Sequence, residues 1–325
     1  MIIKDSFIAL LICILFTSCQ SNGSKAYVPE SNGNINSLTI VMGKNSWGGN
    51  LGKSIKASLM EPYEGLPFDE PKYDLYHLEP SLFSGFARSS RNILVFNRDT
   101  TDQGFRLIRN LWARPQITAI ITGEDEDVMN FYFEENKSLL MRSISENERL
   151  EKIRRMSKSL NNDSQLSDRF GINLTFPDAY ETVKDTTNFV WIEKQVVKGH
   201  LNIIAYSLPY EIDLKKIEER IPKIRDSIGK LYVPGRVPGS YMITERAYLP
   251  YYYKTKVNNL DAILTKGTWE VQNDFMAGPY INYIIKDTIN KRNIVLEGFS
   301  FAPSESKRDY MFELNTIITT MRLVN

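Results

Sequence analysis

Cysteine and histidine are almost missing from this chain. Cys13 and Cys19, His77 and His200 are all that its 325 residues contain. Cys13 lies in an apolar run that the reading below removes, which leaves Cys19 unpaired and no disulfide to staple the fold. Thiolate metal sites are excluded with it. No His-x-x-His or His-Glu-x-x-His spacing offers a zinc ligand set, so neither a metal nor a cofactor is expected. Long apolar runs are absent too: no stretch reaches the ~20 residues that a membrane-spanning helix needs. Charge is balanced, with 40 basic and 39 acidic side chains and a net charge of +1, which argues against a nucleic-acid binder. The Gly-x-Ser-x-Gly elbow of the serine hydrolases does not occur.

What is there begins with Lys4, an apolar run from Phe7 to Phe16, and then Leu15-Phe16-Thr17-Ser18-Cys19. A charged start, a short apolar segment and small residues before a cysteine have the layout of a lipoprotein signal peptide. The expectation is removal of residues 1–18 and acylation of Cys19 by palmitate-like chains. Each buried methylene contributes about 0.8 kcal/mol, so two or more chains make a stable membrane anchor. Gln20 stands where an inner-membrane retention signal places Asp, which points to the outer membrane, and Ser21-Asn22-Gly23-Ser24-Lys25 lacks the acidic cluster of surface export, which points to its periplasmic side. Residues 19–36, rich in Ser, Asn and Gly, read as a flexible tether.

The remainder reads as an α+β protein of two halves, 37–160 and 161–325, each with a largely antiparallel sheet covered by helices on one face. Strands are expected at Leu38–Met42, Tyr73–Leu78, Arg91–Asn97, Phe105–Trp112 and Gln116–Thr122. A helix follows Gly123 with Val128, Phe131, Glu135 and Leu139 toward the sheet, and a second helix starts at Ser145, where Ser145 and Glu148 have capping-box spacing. The second half offers strands at Ile172–Phe176, Tyr180–Lys184, Asn188–Gln195, His200–Ser207, Tyr241–Arg246, Tyr248–Lys254, Thr268–Gln272, Phe275–Lys286 and Arg292–Phe301. Its helices run from Asp213 through Ile228, interrupted by Pro222, and from Ser306 to Leu323. Arg91-Asn92-Ile93-Leu94-Val95 is echoed by Arg292-Asn293-Ile294-Val295-Leu296, as in two related halves.

Two loops imitate ligand sites. Gly43 to Ser54 is Gly-rich and ends Gly52-Lys53-Ser54, but Trp47 stands where a phosphate-binding loop needs its first glycine, so a permissive turn is expected. Asp99 to Gly104 begins like a calcium loop, yet its twelfth position is Asn110, which offers no bidentate carboxylate. A more promising feature is Tyr248-Leu249-Pro250-Tyr251-Tyr252-Tyr253. In a strand, Tyr251 and Tyr253 share one face and, with Tyr248, offer a binding platform for a sugar or a peptide.

Tyr210, Arg225-Asp226-Ser227, Pro238-Gly239-Ser240-Tyr241-Met242, Thr244-Glu245, Trp269-Glu270-Val271, Phe275-Met276-Ala277-Gly278-Pro279-Tyr280 and, earlier, Trp112-Ala113-Arg114-Pro115-Gln116 carry a resemblance. In them the chain resembles the lipoproteins of Bacteroidetes-type bacteria grouped as domain of unknown function 4837, with Ala277 in place of an expected glycine. The resemblance implies an outer-envelope lipoprotein and supplies no activity or catalytic residue. Among these residues Arg225, Asp226 and Glu245 are charges set among apolar neighbours, the pattern of a paired network lining a candidate cleft. The function expected is that of a non-catalytic lipoprotein that binds an envelope protein or glycan. The alternative is an envelope hydrolase using scattered carboxylates or a Ser/His arrangement with His200.

Overall fold

The computed structural model describes residues 28–212 and 215–324. Cys19 and most of the expected tether lie outside them. From Pro29 onward, however, the tether is part of the fold. Arg114 N donates to Pro29 O, Asn32 N to Ser89 O, and Asn36 N to the Glu148 carboxylate at 2.7 Å. A polar composition concealed this, because it is the backbone of the segment that bonds.

The first half runs β1 (Ser37–Val41), α1 (Lys44–Gly48), α2 (Asn50–Leu59), β2 (Asp74–Leu78), β3 (Asn92–Arg98), β4 (Gly104–Arg109), β5 (Ile117–Gly123) and α3 (Glu126–Met156). Its sheet has the order β2-β1-β3-β5-β4, and only the β4–β5 pair is antiparallel. The expectation of a largely antiparallel sheet is therefore corrected for this half. α2 carries the chain back across the sheet, which permits β1 and β2 to run parallel, and the unbroken apolar run Ile93–Phe96 is that of a strand covered on both faces. Leu38, Ile40, Leu94, Ile117, Ala119 and Ile121 meet α2 and α3 on one face. Phe83 and Trp112 cover the other.

α3 is one continuous helix of 31 residues with Asp125 as its N-cap, so there is no second start at Ser145. Its buried face is Met129, Phe133, Leu140 and Ile144, while Phe131 and Leu139 are exposed. Glu148, in place of capping, is fully buried and accepts from Arg91 Nε at 2.6 Å, Arg91 Nη2 at 3.1 Å and Asn92 Nδ2 at 2.5 Å. The Gly-rich stretch expected as a turn is instead helical, α1 and α2 meeting at Gly49, and Gly52 lets them pack closely, since a Cβ there would stand 2.0 Å from Trp47 O. Beside it the Glu126 carboxylate accepts from Ser46 Oγ at 2.7 Å.

The second half contains α4 (Gln165–Phe170), β6 (Ile172–Asn173), β7 (Glu181–Thr186), β8 (Phe189–Val196), β9 (Gly199–Pro209), α5 (Ile217–Tyr232), β10 (Met242–Thr244), β11 (Tyr251–Val257), β12 (Leu260–Val271), β13 (Ala277–Asp287), β14 (Arg292–Phe301), α6 (Arg308–Ile318) and β15 (Arg322–Leu323). Its antiparallel sheet runs β10-β12-β13-β14-β9-β8-β7, and β11 joins β12 on the edge it shares with β10. Helices cover both faces and not one: α4 and α6 pack on Ile203, Ile281, Ile294 and Leu296, and α5 packs on Ile204, Tyr280, Val295 and Phe299. β13 and β14 are buried along nearly their whole length, and two apolar faces need two covers. The expected C-terminal helix stops at Ile318, and Arg322–Leu323 pairs with β6. The sequence echo joins unlike strands, since β3 lies between parallel neighbours and β14 between antiparallel ones. The whole is a mixed α+β protein, and no helix among the described residues is long and apolar enough to cross a membrane.

Candidate functional site

α5 turns Ile221, Ile224 and Ile228 toward the sheet, and Arg225 and Gly229 fall on the same side. A guanidinium there must be paired or it would not be buried. Arg225 is 2% exposed and meets Glu297 of β14 through Nε at 2.8 Å and Nη2 at 2.6 Å, a bidentate pair. Nη1 donates to Thr244 Oγ1 at 2.6 Å, and the guanidinium stacks 3.4 Å from the centre of the Tyr280 ring. Asn282 Nδ2 donates to Glu297 at 2.7 Å. Burial opposes the charge on Arg225, but the Glu297 carboxylate outweighs it and holds the cation. Burial, reinforced by Glu297 and opposed by Arg225, pushes the Tyr280 hydroxyl well above the usual phenol range.

Asp226 faces the other way and reaches the same strand. It accepts from Thr244 N at 2.7 Å and from Arg246 Nη2 at 2.6 Å. Thr244 is thus gripped at its hydroxyl by Arg225 and at its amide by Asp226. Gly229 completes the seam, because a Cβ there would stand 1.9 Å from Met242 O. Glu245, the next residue after β10, accepts from Ala247 N at 2.7 Å and shapes the loop that follows. Burial first, and the Glu245 charge second, raise the pKa of the Glu270 carboxyl on β12.

Between the N-terminal end of α5 and residues 244–252 lies a cleft of about 370 Å³. Glu218, Pro222 and Lys223 line one wall, and Glu245, Tyr248, Leu249 and Tyr252 line the other. Of the residues singled out in the sequence, Glu245 and Tyr248 meet in this cleft, with Arg225 and Asp226 behind Thr244 as its support. Tyr251 and Tyr253 do not join them. β11 begins only at Tyr251, and its alternation places Tyr251 and Tyr253 on the opposite face from Tyr252. There Tyr253 lies by Lys266 and Glu64, and its hydroxyl is pushed up to about 12 by burial and then by Glu64.

A second cavity, of about 210 Å³, opens at the C-terminal end of α5. His200 lines it, with Nδ1 2.9 Å from Glu193 Oε1. Around these stand Trp191, Trp269, Phe299 and Phe301; of the four the sequence analysis named only Trp269, within the family resemblance and not as a site residue. Glu297 was missed as well, although a lone carboxylate within Ile-Val-Leu-Glu-Gly-Phe is a legible sign of a buried partner. Among the described residues no three His, Cys, Asp or Glu side chains cluster as a metal site would require.

No curated protein matches the chain in sequence. Solved structures give faint likenesses. LpqN, involved in cell envelope biogenesis of Mycobacterium tuberculosis, is 15% identical, covering 46% of this chain and 81% of that one with a TM-score of 0.30. The cyanobacterial PsbP of Synechocystis sp. PCC 6803 is 11% identical, covering 47% and 86% with a TM-score of 0.30. The lipid transfer and protein localization domain of human StarD13 is 8% identical, covering 43% and 88% with a TM-score of 0.23. Scores this low carry no argument about this chain. Residues 31–157 match a domain of unknown function, DUF8532, and residues 159–320 match another, DUF4837. The second half of the chain belongs to the DUF4837 family, and the first half to DUF8532.

Proposed function

We propose that this protein is a lipid-anchored envelope protein, held through Cys19 on the periplasmic face of the outer membrane, that binds an envelope protein or glycan without transforming it. One observation carries the binding reading. Arg225 and Asp226, the charges behind the cleft, are spent on structure, Arg225 on Glu297 and Asp226 on Thr244 and Arg246, while the cleft's mouth presents Tyr248 at 60% and Leu249 at 89% exposure. Exposed aromatic and aliphatic side chains next to a rigid seam suit recognition, since they lose little freedom on docking.

The test uses the full chain expressed in its own envelope. In-cell cross-linking and detergent extraction should return a reproducible partner, and the double variant Tyr248→Ser, Leu249→Ser should lower its yield at least fivefold. An undiminished yield sinks the cleft as the binding surface. Labelling with a palmitate analogue should mark the wild type and not Cys19→Ala; equal labelling of both sinks the anchor. Release of glycan or peptide fragments by the purified protein, lost in His200→Ala, would replace the binding reading with the hydrolase alternative.

A further inference from the structure

The cavity at the C-terminal end of α5 has a composition unlike that of a packing gap. Its rings form one continuous wall: Trp191 lies 6.2 Å from Phe299, Phe299 lies 5.7 Å from Trp269, and Trp269 lies 6.3 Å from Phe301, centre to centre. On the same face of the sheet, beside these rings, stand Glu193 and His200 of the β8–β9 pair, 2.9 Å apart, and Val233, Pro234, Met242 and Met276 add to the lining. Trp269 is 2% exposed, yet its Nε1 has no hydrogen-bond partner among the described residues. By contrast the Trp191 indole is satisfied, donating to Asn202 Oδ1 at 2.9 Å. The Trp269 nitrogen lies against the β13 backbone, 3.0 Å from where a Cβ on Gly278 would stand, so the ring and not its N–H is what Trp269 offers the cavity.

From this arrangement we infer that the cavity binds one neutral sugar ring of an envelope glycan. Its volume of about 210 Å³ falls below the ~300–1,000 Å³ of drug-sized sites, so a single ring enters and the rest of the chain stays outside. A sugar ring carries apolar C–H faces, which suit the four aromatic rings. Its hydroxyl groups both donate and accept, which suits an acceptor at Glu193 and an imidazole at His200. An alkyl chain would meet the apolar lining but would strip water from the carboxylate and the imidazole without a hydrogen bond in return. An acidic ligand would meet Glu193 as a like charge, and Arg236, the cation on the lining, is already paired with Asp274 at 2.8 Å. This inference stands apart from the cleft at the other end of α5, and either can fail alone.

Tryptophan fluorescence reads the site, because Trp191 and Trp269 line the cavity while Trp47 and Trp112 belong to the first half. The full-length protein, in detergent, is titrated with neutral oligosaccharides released from the cell's own envelope glycans and, separately, with dodecanoic acid. The expected result is a saturable change with saccharide that Trp191→Phe reduces, and about tenfold weaker binding in Glu193→Gln and in His200→Ala. Both of those side chains are partly exposed, so these variants are expected to fold, and circular dichroism checks this. Amide shifts in the wild type, which depend on no variant, should fall on residues 191–202 and 233–242. Saturation by dodecanoic acid alone overturns the inference in favour of an acyl site. Absence of binding up to 10 mM saccharide, or amide shifts elsewhere, also overturns it.

Discussion

Glu313 of α6 shows how single charges are placed in this fold. It accepts from Lys152 at 2.5 Å, Lys194 at 2.6 Å and the Tyr180 hydroxyl at 2.9 Å. Burial alone would raise its pKa, but Lys152 and Lys194 together hold it below the ordinary 4.5. A carboxyl whose pKa is lower folded than unfolded contributes stability that is complete above 4.5 and is lost as pH falls through the folded value. Glu313→Gln should therefore cost about 2 kcal/mol at pH 7, and urea unfolding should show the gap closing below pH 4. A gap independent of pH would refute the assignment. Arg225 is the complementary case. Arg225→Ala should cost about 3–5 kcal/mol, because Glu297 is left buried and charged. Adding Glu297→Leu should recover part of that loss, and a double-mutant cycle measures the coupling. Arg225 was legible as a charge among isoleucines. Its partner lies 72 residues away, and no local pattern reports such a distance.

At the scale of elements, α5 and β10 depend on a bare backbone contact. Gly229→Ala would drive a methyl group to 1.9 Å from Met242 O, and neither strand nor helix has a flexible side chain there to yield. The expected cost is about 3 kcal/mol, together with a weaker near-ultraviolet signal from Trp269, which pairs with Thr244 beside this seam. Retention of full stability would mean that α5 is not seated as described. Pro222 sits inside α5 without dividing it. The β11–β12 hairpin was legible but overlooked: Asn258 and Asn259, at φ 46° and 70°, are the two-residue turn that Asn favours, and they place Leu260–Lys266 on a strand. α3 was read with the wrong face because Phe131 and Leu139 are as apolar as the Phe133 and Leu140 that are buried. Composition cannot separate two such stripes; only the sheet they face does.

In the whole molecule the halves are joined by charge. Arg308 is buried at the start of α6 and bonds Asp74 of β2 through Nη2 at 2.7 Å and Nη1 at 3.1 Å. Glu70, from the loop before β2, accepts from the amides of Lys307 and Arg308 at 2.8 Å each and so caps a helix of the other half. Lys266 of β12 meets Glu64 at 3.1 Å, and Asn36 Nδ2 meets Asp309 at 3.0 Å. Such a junction predicts cooperative unfolding. Arg308→Ala should cost about 2–4 kcal/mol and split a single calorimetric transition into two; a single transition of unchanged midpoint would show that Arg308 does not hold the halves together.

Taken alone, the sequence determined most of the strands, the α+β class and the expectation of an anchored cysteine, because apolar alternation, turn residues and a signal segment are written within ten or twenty consecutive residues. Tertiary structure alone decided that the first sheet is mostly parallel, that residues 29–36 belong to the fold, and that Glu148 and Glu297 are buried. It also decided that Tyr248 and Tyr253 face different surroundings and that four aromatic rings from β8, β12 and β14 enclose a cavity. Each of these depends on groups far apart in the chain meeting at a few ångströms, as Arg91 meets Glu148 across 57 residues, and the energy of such a meeting leaves no mark in the local pattern.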